Sequence, residues 1–379
     1  MKKSTSKTSH NIFKKPLVQH ALFIVPTILL LLLYILSRFF PGAVHKVYTT
    51  GLFKILTYLP KVLTKGWRYS FAEVALFIFV LFFLIYTIST IVKTIIALVK
   101  KHDKPFRRLA TYGSFIVKTV CVLLSVFILF GAFNYNSLPL ADVAGYEIRE
   151  YDTKTLGELC LLLEDKASEN YVENSDAELF DLIDESLKSY ENARKNHQFF
   201  DGYAEFLTAP KPAFASIAMC YLQISGIYPY LLPESVVNKK APMATLPHTM
   251  CHELAHQMGF ARENEANFVA FVACTSSEMP EFIYSGYYSA FVYSMNALHS
   301  YDYELWLEIY ESTDPRIIND MKEASEFWDS FTTPNDVLAN LSENVNDAYL
   351  NANNVSDGTR SYGRVVDLLL AYYFGNNAA

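Results

Sequence analysis

Residues 251–271 read CHELAHQMGFARENEANFVAF, so that His252 and His256 flank Glu253 in an HExxH string and Glu263 follows seven positions after His256. On a helix, residues four apart share a face one turn above each other, so the two imidazoles point the same way. Two imidazoles so placed can hold one zinc ion, and Glu253 between them can reach a water bound to it. With nine histidines among 379 residues, a chance HExxH is expected in about one such chain per hundred. No proline interrupts the string, and Gly259 stands where a helix carrying the motif would stop. A second helix is expected from Arg262 to about Thr275, opening with two carboxylates. The motif supplies two ligands and a base. A catalytic zinc usually takes a third protein ligand and leaves its fourth position to water.

Three residues compete for that third place: Glu263, Glu265 and His299. Glu263 and Asn267 are four apart, so Glu263 could bind the metal while Asn267 orients a ligand histidine by a hydrogen bond. Glu265 lies about 200° around the helix from Glu263, so the two do not face one ion together. Cys251 is about 100° from His252 and reads as a small buried residue. Peptide hydrolysis also needs a donor for the oxyanion. Tyr287, Tyr288, His299, Arg360 and Tyr362 are candidates, with Tyr362 preferred because it sits in a loop before a final helix at 364–374.

Hydropathy divides the chain sharply. Three apolar runs, with spans expected at about 19–39, 72–98 and 113–134, reach or approach the length that crosses a bilayer. Arg38, in place of a small-residue cleavage site, follows the first, which is therefore read as an anchor. Lys2, Lys3, Lys7, Lys14 and Lys15 precede the first span, and Lys100, Lys101, Lys104, Arg107 and Arg108 crowd the loop between the second and third. The positive-inside rule puts both in the cytoplasm and everything after the third span outside. The segment 38–70 is also basic, but Leu52, Leu56, Leu59 and Leu63 recur at helical spacing, which predicts an interfacial amphipathic helix. The expected division is a membrane module, residues 1–135, and an extracytoplasmic domain, residues 136–379. The net charge of −7 hides a basic membrane module, leaving an acidic remainder unsuited to nucleic acid. Four cysteines in the outer part permit disulfides without showing a framework.

Within the outer domain, Leu156–Lys166 and Ala177–Lys195 have helical apolar spacing and are expected beside the motif helices. Ala213–Val237 is rich in β-branched and aromatic residues with turn-forming Gly226, Pro229 and Pro233, which predicts a short sheet. Ile224–Tyr230 could be an edge strand that holds a substrate backbone, or an ordinary core hairpin.

The motif string resembles the gluzincin zinc peptidases, in which a Glu-x-x-x-Asp or Glu-x-x-Ala-Asn on the next helix provides the third ligand. Here that pattern falls on Glu263, Ala266 and Asn267. The resemblance implies His252, His256 and Glu263 as ligands, Glu253 as base and Asn267 behind a ligand histidine. The His-to-Glu spacing is much shorter than in most gluzincins, so Glu265 stays the alternative. His256 to Gly259 is similar to the metzincin string, but Arg262 occupies the place of its third histidine. PKPAFAS…ISGIYPY, the motif string, SGYYSAFVYSMNAL and SYGRVVDLLLAYY together resemble an uncharacterised family of bacterial membrane proteins, domain of unknown function 3810. The expected fold is mainly α, with an N-terminal bundle of three transmembrane helices and an α-rich gluzincin-like domain with a small sheet. The expected function is a membrane-anchored zinc (Zn2+) metallopeptidase acting on a peptide or protein substrate outside the cytoplasmic membrane. The alternatives are a zinc-binding but catalytically silent envelope scaffold, a cell-wall amide hydrolase, and a transporter or sensor without zinc.

Overall fold

The computed structural model describes residues 16–102, 104–332 and 363–375. Helix α1 (Pro16–Ser37) is followed by a single turn, α2 (Pro41–Ala43), and a π-helical stretch, Val44–Leu52, that runs into α3 (Phe53–Thr64). The long helices α4 (Phe71–Val99) and α5 (Arg107–Phe130) come next. Helices α1, α4 and α5 are long and apolar enough to cross a membrane. Leucines, isoleucines, valines and phenylalanines are exposed along their length, including Leu29, Leu33, Ile78, Phe82, Ile91 and Val120. A helix apolar on the side it exposes has lipid as its natural solvent. The third span starts earlier than the apolar run suggests, at Arg107, and ends at Phe130, where the chain tightens into a 3-10 turn, Ala132–Asn136.

The described residues form two compact units, 16–39 with 75–129, and 40–74 with 130–332 and 363–375. A single cut after residue 135 therefore does not separate them. Residues 40–74 fold with the motif-bearing unit because the inward face of α3 is polar. Phe53, Thr57, Lys61 and Thr64, at three- and four-residue spacing, are buried. The Lys61 amine donates to the Gln257 carbonyl at 2.8 Å and the Phe206 carbonyl at 3.3 Å. Phe53 lies under Gly259, where an added Cβ would stand 3.3 Å from its ring. Thr49 donates to Asn134 Oδ1 at 2.9 Å.

The remainder is helical apart from one small sheet. It comprises α6 (Leu140–Ala144), α7 (Thr153–Glu169), α8 (Leu179–Asn196), α9 (Ser216–Tyr221), α10 (Leu246–Met258), α11 (Glu263–Thr275), α12 (Pro280–Tyr301), α13 (Tyr303–Ser312), α14 (Pro315–Asp329) and α15 (Arg364–Phe374). Helices α10, α11 and α12 pack on one another, α8 lies against α10 and α11, and α7 packs mainly on α12. Of the two helices expected beside the motif, α8 is the one that takes that place. Buried Leu159, Leu182, Met250, Leu254, Phe268, Val269, Phe282 and Phe291 share one core. All five cysteines are free of disulfides, and Cys251 is fully buried, its carbonyl accepting from the Tyr190 hydroxyl at 2.6 Å.

The sheet has the order β1 (Lys211–Pro212), β3 (Val236–Val237), β2 (Gly226–Ile227), with β1 parallel and β2 antiparallel to β3. It is shorter than the sequence pattern suggests, because Ser216–Tyr221 is helical. The start of α9 is capped from a distance. Glu73 accepts from the amides of Phe214 and Ala215 at 2.7 and 2.9 Å, meeting donors that a helix start leaves open. Strand β3 is tied down in the same way. Glu234 lies 3.7 Å from the Lys211 amine, accepts from the Ala72 amide at 2.9 Å, and is fully buried. Lys211 in turn donates to the Thr64 carbonyl.

Burial, with Arg194 nearby, lowers the Lys61 amine from 10.5 to about 7. The cost of burying its charge is at full size below that pH and fades as pH rises toward 10.5, because there the unfolded chain binds the extra proton. The unfolding temperature of the parent, followed by circular dichroism in detergent from about pH 7 to 10, should thus climb relative to Lys61→Met, which has no proton to lose.

Candidate metal centre

Pro247 sits in the first turn of α10, where its fixed φ suits a helix start. Gly259 ends the helix with φ 117°, a left-handed conformation that costs glycine little. That turn sends the chain back so that the Phe260 carbonyl meets His256 Nδ1 at 2.8 Å, and α11 begins four residues after Gly259. Gln257 fastens the other side. Its Oε1 accepts from the Thr208 amide at 2.6 Å, and its Nε2 donates to the Thr208 carbonyl and to Ser235 Oγ. Ser235 donates to the Glu253 carbonyl at 2.8 Å, which binds the sheet to the motif helix.

His252, His256 and Glu263 come together at this corner. The two Nε2 atoms are 3.1 Å apart, Glu263 Oε2 is 3.1 Å from His252 Nε2, and Glu263 Oε1 is 3.5 Å from His256 Nε2. Zinc bonds of about 2.0–2.2 Å in a tetrahedron put neighbouring ligand atoms about 3.3–3.5 Å apart, so these donors have the spacing of neighbouring ligands in such a site, with each Glu263 oxygen facing one imidazole. The tautomers point the same way. His256 Nδ1 faces a carbonyl and His252 Nδ1 faces Asn267 Oδ1 at 2.7 Å, so each Nδ1 must carry the hydrogen. In the neutral rings both Nε2 atoms then present lone pairs to each other and to a carboxylate. Such a set is satisfied by a cation or a proton between them.

The electrostatics agree. Burial alone would lower His256, but the Glu263 carboxylate overrides it and raises the imidazole to about 9. Burial would raise Glu263, yet His256 and His252 hold it well below the usual carboxylate range. Burial pushes Glu253 up to about 7 against the opposing pull of the two imidazoles. Glu253 Oε2 is buried with no hydrogen-bond partner among the described residues. The backbone comes very close to this carboxylate at Gly226 in β2, where an added Cβ would stand 2.5 Å from Glu253 Oε1.

The competing residues lie elsewhere. Glu265 is buried, accepting from the Leu140 amide at 2.9 Å and from Arg262 at 2.8 Å, and so serves structure. His299 packs edge-on against Trp306 and Tyr303. Tyr287 lies against Phe271, and Tyr288 beside Tyr284, whose hydroxyl bonds Asp320. Arg360 and Tyr362 fall outside the described residues. Three residues join the site that the motif does not announce. Tyr293 donates to Asn267 Oδ1 at 3.3 Å. His248 meets the Asn267 carbonyl through Nε2 at 3.2 Å, and burial, helped by His252, lowers it to about 3, so it stays neutral. The Tyr228 ring stacks on His256, with centroids 6.4 Å apart, and its buried hydroxyl has no hydrogen-bond partner among the described residues. His248 had a sequence signal, one turn before His252. Tyr293 and Tyr228 had none.

The family model for the protein of unknown function DUF3810 matches residues 48–370. The chain belongs to the DUF3810 family. The DUF3810 match begins inside the stretch 40–74 that folds with the motif helices, and it takes in all three corners of the centre. No curated protein and no solved structure matches the chain.

Replacing the two competing carboxylates separates ligand from support. Glu263→Gln should lose bound zinc, measured by atomic emission on purified protein, while Glu265→Gln keeps it and unfolds at lower temperature. Asn267→Ala should weaken zinc binding about 10–100-fold, measured by chelator competition.

Proposed function

We propose that the chain is a membrane-anchored zinc metallopeptidase, with His252, His256 and Glu263 holding the ion and Glu253 as the base. The observation that carries this reading is the donor triangle, in which each imidazole has its other nitrogen already engaged by an oxygen. Zinc bound there would polarise a scissile carbonyl and bring the pKa of its water to about 7. Glu253, on the face of α10 between the two ligands, takes a proton from the attacking water and later returns it to the leaving amine. A carboxylate with an unused buried oxygen is suited to that exchange. Strand β2 lies at the edge of the sheet, pairing with β3 alone among the described residues, and it meets Glu253 at Gly226. An extended peptide adding to this edge would bring its backbone beside the base. The basic residues on the cytoplasmic flanks of the spans favour a topology in which the site faces the outside of the membrane.

The full chain in detergent, beside Glu253→Gln, tests the proposal by metal content and by cleavage of a mixed peptide library read by mass spectrometry. One zinc in each protein is expected, with cleavage in the parent reduced about 10²–10⁴-fold in the variant. Folded protein without zinc would sink the metal centre. Zinc in both and cleavage in neither would turn the reading to a silent zinc scaffold.

Gly226→Ala is a second check on the same chemistry. The added methyl must displace the Glu253 carboxylate, so peptide turnover should fall severalfold with zinc content unchanged. Equal turnover would remove β2 from the site.

A further inference from the structure

Helix α3 is amphipathic in the opposite sense from a surface helix of a soluble domain. Its buried face is Thr57, Lys61 and Thr64 with Phe53. Its outward face is apolar: Ile55 is 71% exposed, Leu59 62% and Leu63 68%, with Tyr58 and Leu52 alongside. An exposed apolar row of this length on a folded domain calls for a covering.

A second patch belongs to the same unit. Phe214 and Ile217, at 58% and 60% exposed, open the α9 region that Glu73 caps, and Glu73 stands in the first turn of α4. Phe214 stacks on Tyr69 with centroids 5.0 Å apart, and Trp67 meets Phe71, the first residue of α4, also at 5.0 Å. Trp67 and Tyr69 are themselves exposed. Aromatic rings gather in this way where a span meets the headgroup layer.

We infer that the outward face of α3 and the exposed residues of Phe214–Tyr221 form a lipid-docking surface, on which the motif-bearing unit rests at the bilayer interface. Chain connectivity selects lipid as the occupant. Two consecutive spans, α1 and α4, must leave and re-enter the membrane on one side, so residues 38–70 are tethered to that bilayer face at both ends. Charge agrees, since Lys46, Lys65 and Arg68 are exposed on the same segment, and exposed Lys239 lies over the Tyr69 ring, where cations suit anionic headgroups. The inference stands whether or not the metal centre hydrolyses peptides. Lys61 connects the lipid-facing helix to the end of the motif helix.

The test uses the full chain in vesicles of phosphatidylethanolamine and phosphatidylglycerol. The photoreactive residue p-benzoylphenylalanine replaces Leu59, Ile217 or, as a control, Leu161, an exposed leucine on α7. After irradiation, lipid adducts are measured by mass spectrometry. Adducts at 59 and 217 at least about tenfold above those at 161 are expected for an interfacial face. Equal yields at all three positions would overturn the inference, as would crosslinks from 59 or 217 to a second copy of the chain in place of lipid.

Discussion

Everything at the centre of this protein depends on how the two imidazoles of α10 are held. Each has its Nδ1 hydrogen committed, one to the Phe260 carbonyl and one to Asn267, and each Nε2 is thereby left as a bare lone pair beside the other. Neither commitment is possible without the left-handed turn at Gly259, which folds Phe260 back and starts α11 close enough for Glu263 and Asn267 to arrive together. The link, Gly259 to Arg262, does in four residues what a long loop would do with less rigidity. Outside that pair stands a ring of supports: Gln257 to Thr208, Ser235 to the Glu253 carbonyl, and Lys61 to the Gln257 carbonyl.

The features legible in the sequence are the ones that local periodicity controls. The motif helix with its glycine stop, the start of the next helix, the three apolar spans and the final helix at 364–374 all follow from spacing along one segment. The pairing of Glu263 with Asn267 was readable for the same reason, since four residues on a helix make one face. That Glu265 turns away from the His252, His256 and Glu263 cluster depends on its partners Leu140 and Arg262, and the first of these is far away in the chain. Tyr293 and Tyr228 reach the site through packing of separate elements, and no spacing announces that. Ser216–Tyr221 lies in a stretch rich in β-branched and aromatic residues, yet it is helical, and the carboxylate that caps it, Glu73, comes from another part of the chain.

Long-range polar contacts have a common theme in this unit. Lys61, Glu73, Lys211 and Glu234 each join residues 40–74 to the sheet, to the start of α9 or to the motif helix, and three of the four are almost fully buried. A buried charge is expensive unless it is paired or hydrogen-bonded. These contacts therefore specify one arrangement of the two segments more than they add stability. They also explain how a segment that composition marks as membrane-flanking comes to be structural support for a polar site.

The discontinuity of the site-bearing unit has an evolutionary consequence. Its two parts, 40–74 and the chain after 130, are separated by two of the three spans in part or whole. No single crossover in a gene can lift such a unit onto a different anchor, because the segment that caps the motif helix would stay behind. Replacing everything before residue 130 by a different anchor would also take away residues 40–74, and with them Lys61 from the end of the motif helix and Glu73 from the start of α9.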